Sequence, residues 1–269
     1  MLVPPNHYLY KLQKRKRLGK ILHVQEEKFR RIEEWALVHP FNKKQGEKTR
    51  RLFNTEKEYK VLLRRLNRMF LQLNIPEYVY AGIPNLDFLS NANSHFTNSY
   101  LQSVDIKSFF PNTHESYVYG LFLHKFKMSK DVAKILTTLT TYTEDIGSFN
   151  RHLPQGFPTS TILSFLAYFD MFNGISKLSK ERNIHFSLFV DDMTFSSQER
   201  IPKSFLNQVQ RIVNSYGLQL HPDKFSLYYP SDPKPVTGVV YKPNENILSI
   251  LDPRFQTRKK DVLRCGYET

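Results

Sequence analysis

Ser187-Leu188-Phe189-Val190-Asp191-Asp192-Met193-Thr194-Phe195-Ser196 decides how this chain is read. Apolar residues flank a pair of carboxylates, so Ile184 to Val190 reads as a strand, Asp191-Asp192 as a tight turn and Met193 to Ser196 as the returning strand. A second apolar run, Leu101 to Phe110, reads as a buried strand ended by Pro111-Asn112, with Asp105 set between Val104 and Ile106. An ionised Asp in a buried strand is costly unless paired or metal-bound. Were the two strands neighbours, their carboxylates would converge and repel, and a pair of divalent cations would relieve the repulsion. Oxygen donors without His or Cys suit hard Mg²⁺. Two such ions about 4 Å apart activate an attacking oxygen and stabilise a leaving one in phosphoryl transfer. Each part taken singly has an ordinary explanation: Asp-Asp pairs are usually turn residues, and one buried Asp can be satisfied by its neighbours.

Outward from these strands the pattern alternates. Glu56 to Leu73 reads as a helix with Tyr59, Leu62, Leu66 and Phe70 on its apolar stripe. Helical patterns follow near 114–126 and 129–142, and the loop Leu153–Pro158 leads into a long apolar helix from Thr159 to Leu178. Pro202 to Tyr216 is helical with Pro in its first turn. Phe225–Tyr229, Val236–Tyr241 and Ile247–Leu251 read as short strands, the last two joined by a Pro243–Asn246 turn. The order implies an α+β fold, an antiparallel sheet with helices on one face. Leu153-Pro154-Gln155-Gly156-Phe157-Pro158-Thr159-Ser160 opens a helix whose N-terminus would favour an anion. It lacks the Gly-Lys-Ser/Thr of a P-loop, and its plain reading is a Pro/Gly loop with a Thr/Ser cap. Asp252-Pro253 reads as the start of a basic helix, Arg254–Arg264.

Composition narrows the partner. Of 269 residues, 39 are Lys or Arg and 25 Asp or Glu, a net charge of +14 that points to a polyanion, most simply nucleic acid. Residues 1–51 hold 14 basic and 5 acidic side chains, +9 of that total, with Tyr8, Tyr10, Phe29 and Trp35 interleaved for stacking. The single Cys265 excludes an internal disulfide framework and a thiolate-rich zinc site. Met1–Arg17 lacks the apolar core of a signal peptide, and the most apolar window, Ile162–Phe172, is interrupted by Asp170. A cytoplasmic chain with no membrane partner is expected.

Together these motifs resemble the reverse transcriptases of the bacterial retron and group II intron lineage, over about Lys48 to Leu251. Val104–Phe110 resembles the first catalytic-aspartate motif, Leu153–Ser160 the Leu-Pro-Gln-Gly-x-Pro-Thr-Ser segment, and Phe189–Ser196 the Tyr-x-Asp-Asp hairpin with its Thr-Phe-Ser tail. Val236-Thr237-Gly238 resembles the late motif beside the primer grip, and Asn91-Ala92 with His95 also fits the family pattern. The resemblance implies a right-hand polymerase with palm and mainly helical fingers. A basic extension at 1–47 would precede fingers at 48–100, palm at 101–112, a helical fingers insertion at 113–152 and palm at 153–251. Residues 252–269 would only begin a thumb.

The implied activity is RNA-directed DNA polymerisation by two-metal nucleotidyl transfer of deoxynucleotides (dNTPs). Asp105, Asp191 and Asp192, with the Ile106 carbonyl, would hold two Mg²⁺ ions, Mn²⁺ being the alternative. Lys224 would protonate departing pyrophosphate. Arg50 or Arg51 would grip the triphosphate, Phe110 would stand as the steric gate under the sugar, and Gln155 and Gly156 would lie against nucleotide and template. Val236, Thr237 and Gly238 would face primer and template. Implied partners are an RNA template or cognate noncoding RNA, the DNA product, and a partner protein or second subunit replacing the thumb; antiphage defence is the implied biology. The chain departs from the family at Phe189-Val190, where Tyr-Ala is usual, and at Thr161 and Phe165, where Pro and Asn are usual. Alternatives are template-independent or protein-primed synthesis at the same site, with Tyr267 a conceivable primer, and a polymerase-like RNA-binding subunit.

Overall fold

The computed structural model describes residues 2–45, 48–144, 150–243 and 247–250. In chain order its elements are α1 (Arg15–Leu22), α2 (Ile32–Trp35), β1 (Val38–Gln45), β2 (Lys48–Thr55), α3 (Lys57–Phe70), α4 (Phe88–Asn93), β3 (Tyr100–Asp105), α5 (Phe109–Asn112) and α6 (Glu115–Gly120). There follow α7 (Lys130–Thr140), α8 (Ser160–Ala167), α9 (Phe169–Lys180), β4 (His185–Phe189), β5 (Asp192–Ser197), α10 (Lys203–Ser215), β6 (Ser226–Tyr228), β7 (Lys234–Val236), β8 (Val239–Lys242) and β9 (Ile247–Ile250). The chain forms two compact units, Met1–Pro76 with Ser108–Phe169, and Glu77–Lys107 with Asp170–Thr269.

The first unit is mainly helical. The stripe predicted on α3 is its core face: Tyr59, Leu62, Leu63, Leu66 and Phe70 are buried, and the Phe70 ring packs against Phe122 and Phe126 at 6.0 and 6.2 Å. No strand is expected before residue 56 from sequence alone, yet β1 and β2 pair as a long antiparallel hairpin. Its two arms carry charged and polar residues on both faces, so no apolar alternation announces them.

The second unit is built on a four-stranded antiparallel sheet ordered β4-β5-β3-β6. One face packs on α10, where Phe205 meets Phe195 edge-on at 5.1 Å. The other face carries Leu101 and Asp105. Leu101 packs with α4 and with Val236 and Val239 of a second, three-stranded sheet ordered β7-β8-β9.

Four boundaries differ from the sequence reading. The strand expected to run to Phe110 ends at Asp105, because Ser108 adopts a left-handed φ of 50° that turns Phe109 and Phe110 into α5. The helix expected over 159–178 is broken at Tyr168, whose ring is fully buried against Phe109 and Tyr117. The carboxylate hairpin turns on Val190-Asp191, since Asp192 pairs with Phe189. The strand expected over Val236–Tyr241 is two strands joined by a Thr237-Gly238 turn. The basic helix expected after Asp252 lies outside the described residues.

Candidate active site

β3 is the central support of the site. Its last residue, Asp105, is 7% exposed and pairs directly with Asp192, the first residue of β5, so two carboxylates share one sheet face. Asp191 is held beside them by its backbone, whose carbonyl accepts from the Ile106 amide at 3.1 Å. The segment after α10 is stitched to the same strand end. The Lys107 amide donates to Gln219 at 2.8 Å and the His221 amide to the Asp105 carbonyl at 2.7 Å. This delivers the half-exposed Lys224, whose ammonium donates to Asp105 Oδ2. Asp105, Asp191, Asp192, Ile106 and Lys224 are thus brought together from three sequence regions.

The electrostatics follow from the pairing. The Asp192 carboxyl is pushed up to about 7 by burial first, then by the charges of Asp191 and Asp105, with Lys224 pulling it back. Among the described residues, no three His, Cys, Asp or Glu side chains gather as a ready metal cage. The donor set nonetheless fits hard divalent cations: it is carboxylate oxygen, it carries repulsion that added positive charge would relieve, and Lys224 already supplies one such charge. A cation would compete with that ammonium for Asp105. The turn is itself strained, since β-branched Val190 sits at φ 63°.

Val236 ends β7, and Thr237 and Gly238 form the tight β7–β8 turn after it, with Thr237 at φ 47° and Gly238 at φ 86°. The Thr237 hydroxyl is turned inward and donates to the Phe88 carbonyl at 3.0 Å. It also accepts from Asn91 Nδ2 at 3.4 Å. His95, fully buried, contacts Ser196 Oγ at 2.8 Å through Nδ1 and Ser187 Oγ at 2.6 Å through Nε2. Burial and the nearby His185 hold its pKa well below the ordinary imidazole value. The sequence marks His95 only as part of a family pattern; its clasp on β4 and β5 depends on two serines that no local signal marks.

The other residues singled out belong to the first unit. Phe109 is buried in the core while its neighbour Phe110 is half-buried, which separates a packing ring from an available one. Arg51 is committed: it donates to Glu144 at 2.7 and 3.0 Å and to Asn42 at 3.2 Å. Arg50 points to the opposite face of β2, opposite Lys43, and is exposed. Gln155 accepts from the Phe53 amide at 2.9 Å through its carbonyl. Gly156 has φ 122°, and a Cβ there would lie 2.6 Å from the Phe53 carbonyl oxygen. The expected Thr/Ser cap of α8 does not form: Ser160 Oγ instead donates to the Pro154 carbonyl at 2.6 Å and closes the loop on itself.

Residues 42–249 match the model of the reverse transcriptase (RNA-dependent DNA polymerase) family. The retron Se72 reverse transcriptase of Salmonella heidelberg is 25% identical over 192 residues, covering 70% of this chain and 49% of that protein. The retron Ec48 reverse transcriptase of Escherichia coli is 23% identical over 244 residues, covering 83% and 58%. The chain therefore spans about half the length of the curated relatives it matches. An apo telomerase structure from Candida tropicalis shares the fold at TM-score 0.57 and 11% identity, over 81% of this chain and 55% of that one. With a family match running through all three aspartates and the Val-Thr-Gly turn, this chain belongs to the reverse transcriptase family.

Proposed function

We propose that this chain is an RNA-directed DNA polymerase of the retron type, with the second unit as the main body of the palm. The observation that carries the reading is the direct pairing of Asp105 with Asp192 across β3 and β5, with Asp192 raised to about 7 by burial and the adjacent carboxylates. Divalent cations held by Asp105, Asp191, Asp192 and the Ile106 carbonyl, Mg²⁺ or alternatively Mn²⁺, would neutralise charge on the transferring phosphoryl group. The chain's own groups do the remaining work. Lys224 stands beside Asp105 as the proton donor to departing pyrophosphate. Phe110 presents a ring that excludes a 2′-hydroxyl, and Arg50, rather than the committed Arg51, takes the triphosphate. The partners are an RNA template or cognate noncoding RNA, dNTPs and the DNA product, in the cytoplasm, with antiphage defence as the biological setting that the family resemblance of the motifs implies.

The test is nucleotide incorporation on a primed RNA with Mg²⁺, comparing dNTPs with ribonucleotides and including an Asp191→Ala/Asp192→Ala control and a lane without template. DNA synthesis that needs template and is lost in the control supports the reading. Untemplated incorporation would move it to terminal or protein-primed synthesis. One observation favours a second reading, an RNA-binding subunit with little chemistry: Lys224 already neutralises Asp105. That reading takes over if added co-purified RNA still gives no incorporation.

A further inference from the structure

The segment Phe88–His95 touches two hairpins of the second unit. Helix α4 begins with a reciprocal cap, Asp87 accepting from the Ser90 amide at 2.9 Å and Ser90 Oγ accepting from the Asp87 amide at 2.8 Å. Its Phe88 and Ala92 are buried with Leu101 of β3 and with Val236 and Val239, the residues flanking the β7–β8 turn. Phe189, the last residue of β4 before the carboxylate turn, packs on the same cluster. Just beyond the helix, the buried His95 ring lies between Ser187 of β4 and Ser196 of β5, and Asn98 also donates to Ser196 Oγ at 2.9 Å.

Two residues in this array are poor choices for stability alone. A two-residue turn with φ 47° and 86° calls for Asn or Gly at its first position, not a β-branched residue. What Thr237 contributes there is its hydroxyl, and both bonds of that hydroxyl run to α4. Asn91 is fully buried, makes one long bond of 3.4 Å with its amide, and leaves Oδ1 without a partner among the described residues. A Leu at this position would bury no unsatisfied acceptor. Each of the two costs the fold locally, and they are bonded to each other. That combination marks a positional constraint rather than a packing one.

We propose that Asn91, Thr237 and His95 are positioning residues, and that the Phe88–His95 segment is a bracket setting the Val236-Thr237-Gly238 turn against the Asp191-Asp192 hairpin. It acts on a primer through the turn, so what is positioned rests on the polymerase reading, while the bracket itself rests on the bonds above. The distinguishing signature is that stability and primer use move apart.

The experiment measures single-dNTP incorporation against primer–RNA concentration for Asn91→Leu, Thr237→Val and Thr237→Ser, together with the melting temperature of each. Affinity for a fluorescent primer–RNA duplex is read in parallel with every variant placed in an Asp192→Asn background. The expected result is a KM for primer–RNA raised about tenfold in Asn91→Leu and Thr237→Val, with KM for dNTP within about twofold. Asn91→Leu should melt at or above the wild-type temperature, and Thr237→Ser, which keeps the hydroxyl, should recover most of the loss. An unchanged primer KM, an Asn91→Leu melting temperature that falls below the wild-type value, or a Ser variant as impaired as Val would each overturn the bracket. A wild-type chain that binds the duplex without extending it, even with co-purified RNA added back, would sink the polymerase reading, and the affinity series would still decide the bracket.

Discussion

Asp192 faces Asp105 directly across the sheet, and like charges in that position repel. Its folded-state pKa of about 7 lies above the ordinary carboxylate value of 3.8, so the folded state binds the proton more tightly than the unfolded chain. The ionised form therefore costs stability, in full above about pH 7, and the cost disappears as pH falls from there towards 4. Asp192→Asn should raise the metal-free melting temperature at pH 8, on the order of 2 kcal/mol of stability, while abolishing synthesis. A variant that melts no higher than wild type at pH 8 would contradict the repulsion. His95 has the opposite behaviour. Its pKa is held down by burial, so its contribution is complete above the unfolded value of 6.5 and is lost as pH falls below it. In an Asp192→Asn background, which removes the opposing carboxylate slope over the same range, denaturant unfolding between pH 7 and 5 should show stability declining by up to about 1.4 kcal/mol per pH unit, with a flatter profile when His95→Asn is added.

The carboxylate turn and the β1–β2 hairpin show how elements set side-chain availability. Val190 at φ 63° can be relieved by glycine. Val190→Gly should add about 1 kcal/mol of stability in urea unfolding, and a loss of that size instead would show that packing of the valine outweighs its strain. On β2, strand alternation sends Arg51 to Glu144 and Arg50 to the other face. Arg50→Ala should raise KM for dNTP about tenfold, whereas Arg51→Ala should change it little. Equal effects would mean the alternation does not select between them. Gly156 approaches the β2 backbone closely, so Gly156→Ala should destabilise the first unit by about 2–4 kcal/mol, read as an earlier unfolding midpoint.

For the whole molecule, charge dominates the expected behaviour with nucleic acid. A net +14, +9 of it before residue 52, makes phosphate contacts numerous. Affinity for a primer–RNA duplex should fall by about 10³-fold between 50 and 200 mM salt if six or more phosphates are neutralised. A shallow salt slope would indicate that this basic surface does not engage the backbone. Among the described residues no helix is long and apolar enough to cross a membrane.

Residue type and spacing were enough to announce the α+β class, the α3 stripe, the carboxylate hairpin and Asp105, because burial of apolar residues and the cost of a buried charge act locally along the chain. They did not reveal the β1–β2 hairpin, whose strands lack an apolar period, or the separation of Arg50 from Arg51, which depends on a partner 93 residues away. The end of β3 at Asp105 depended on a left-handed Ser108, a conformation that no local propensity demands. Asp192's raised pKa, Lys224's seat on Asp105, and the reach of Asn91 to Thr237 over 146 residues belong to tertiary structure alone. Their physical cause is the registry of β3 against β5 and the packing of α4, and registry is a property of two paired segments rather than of either one.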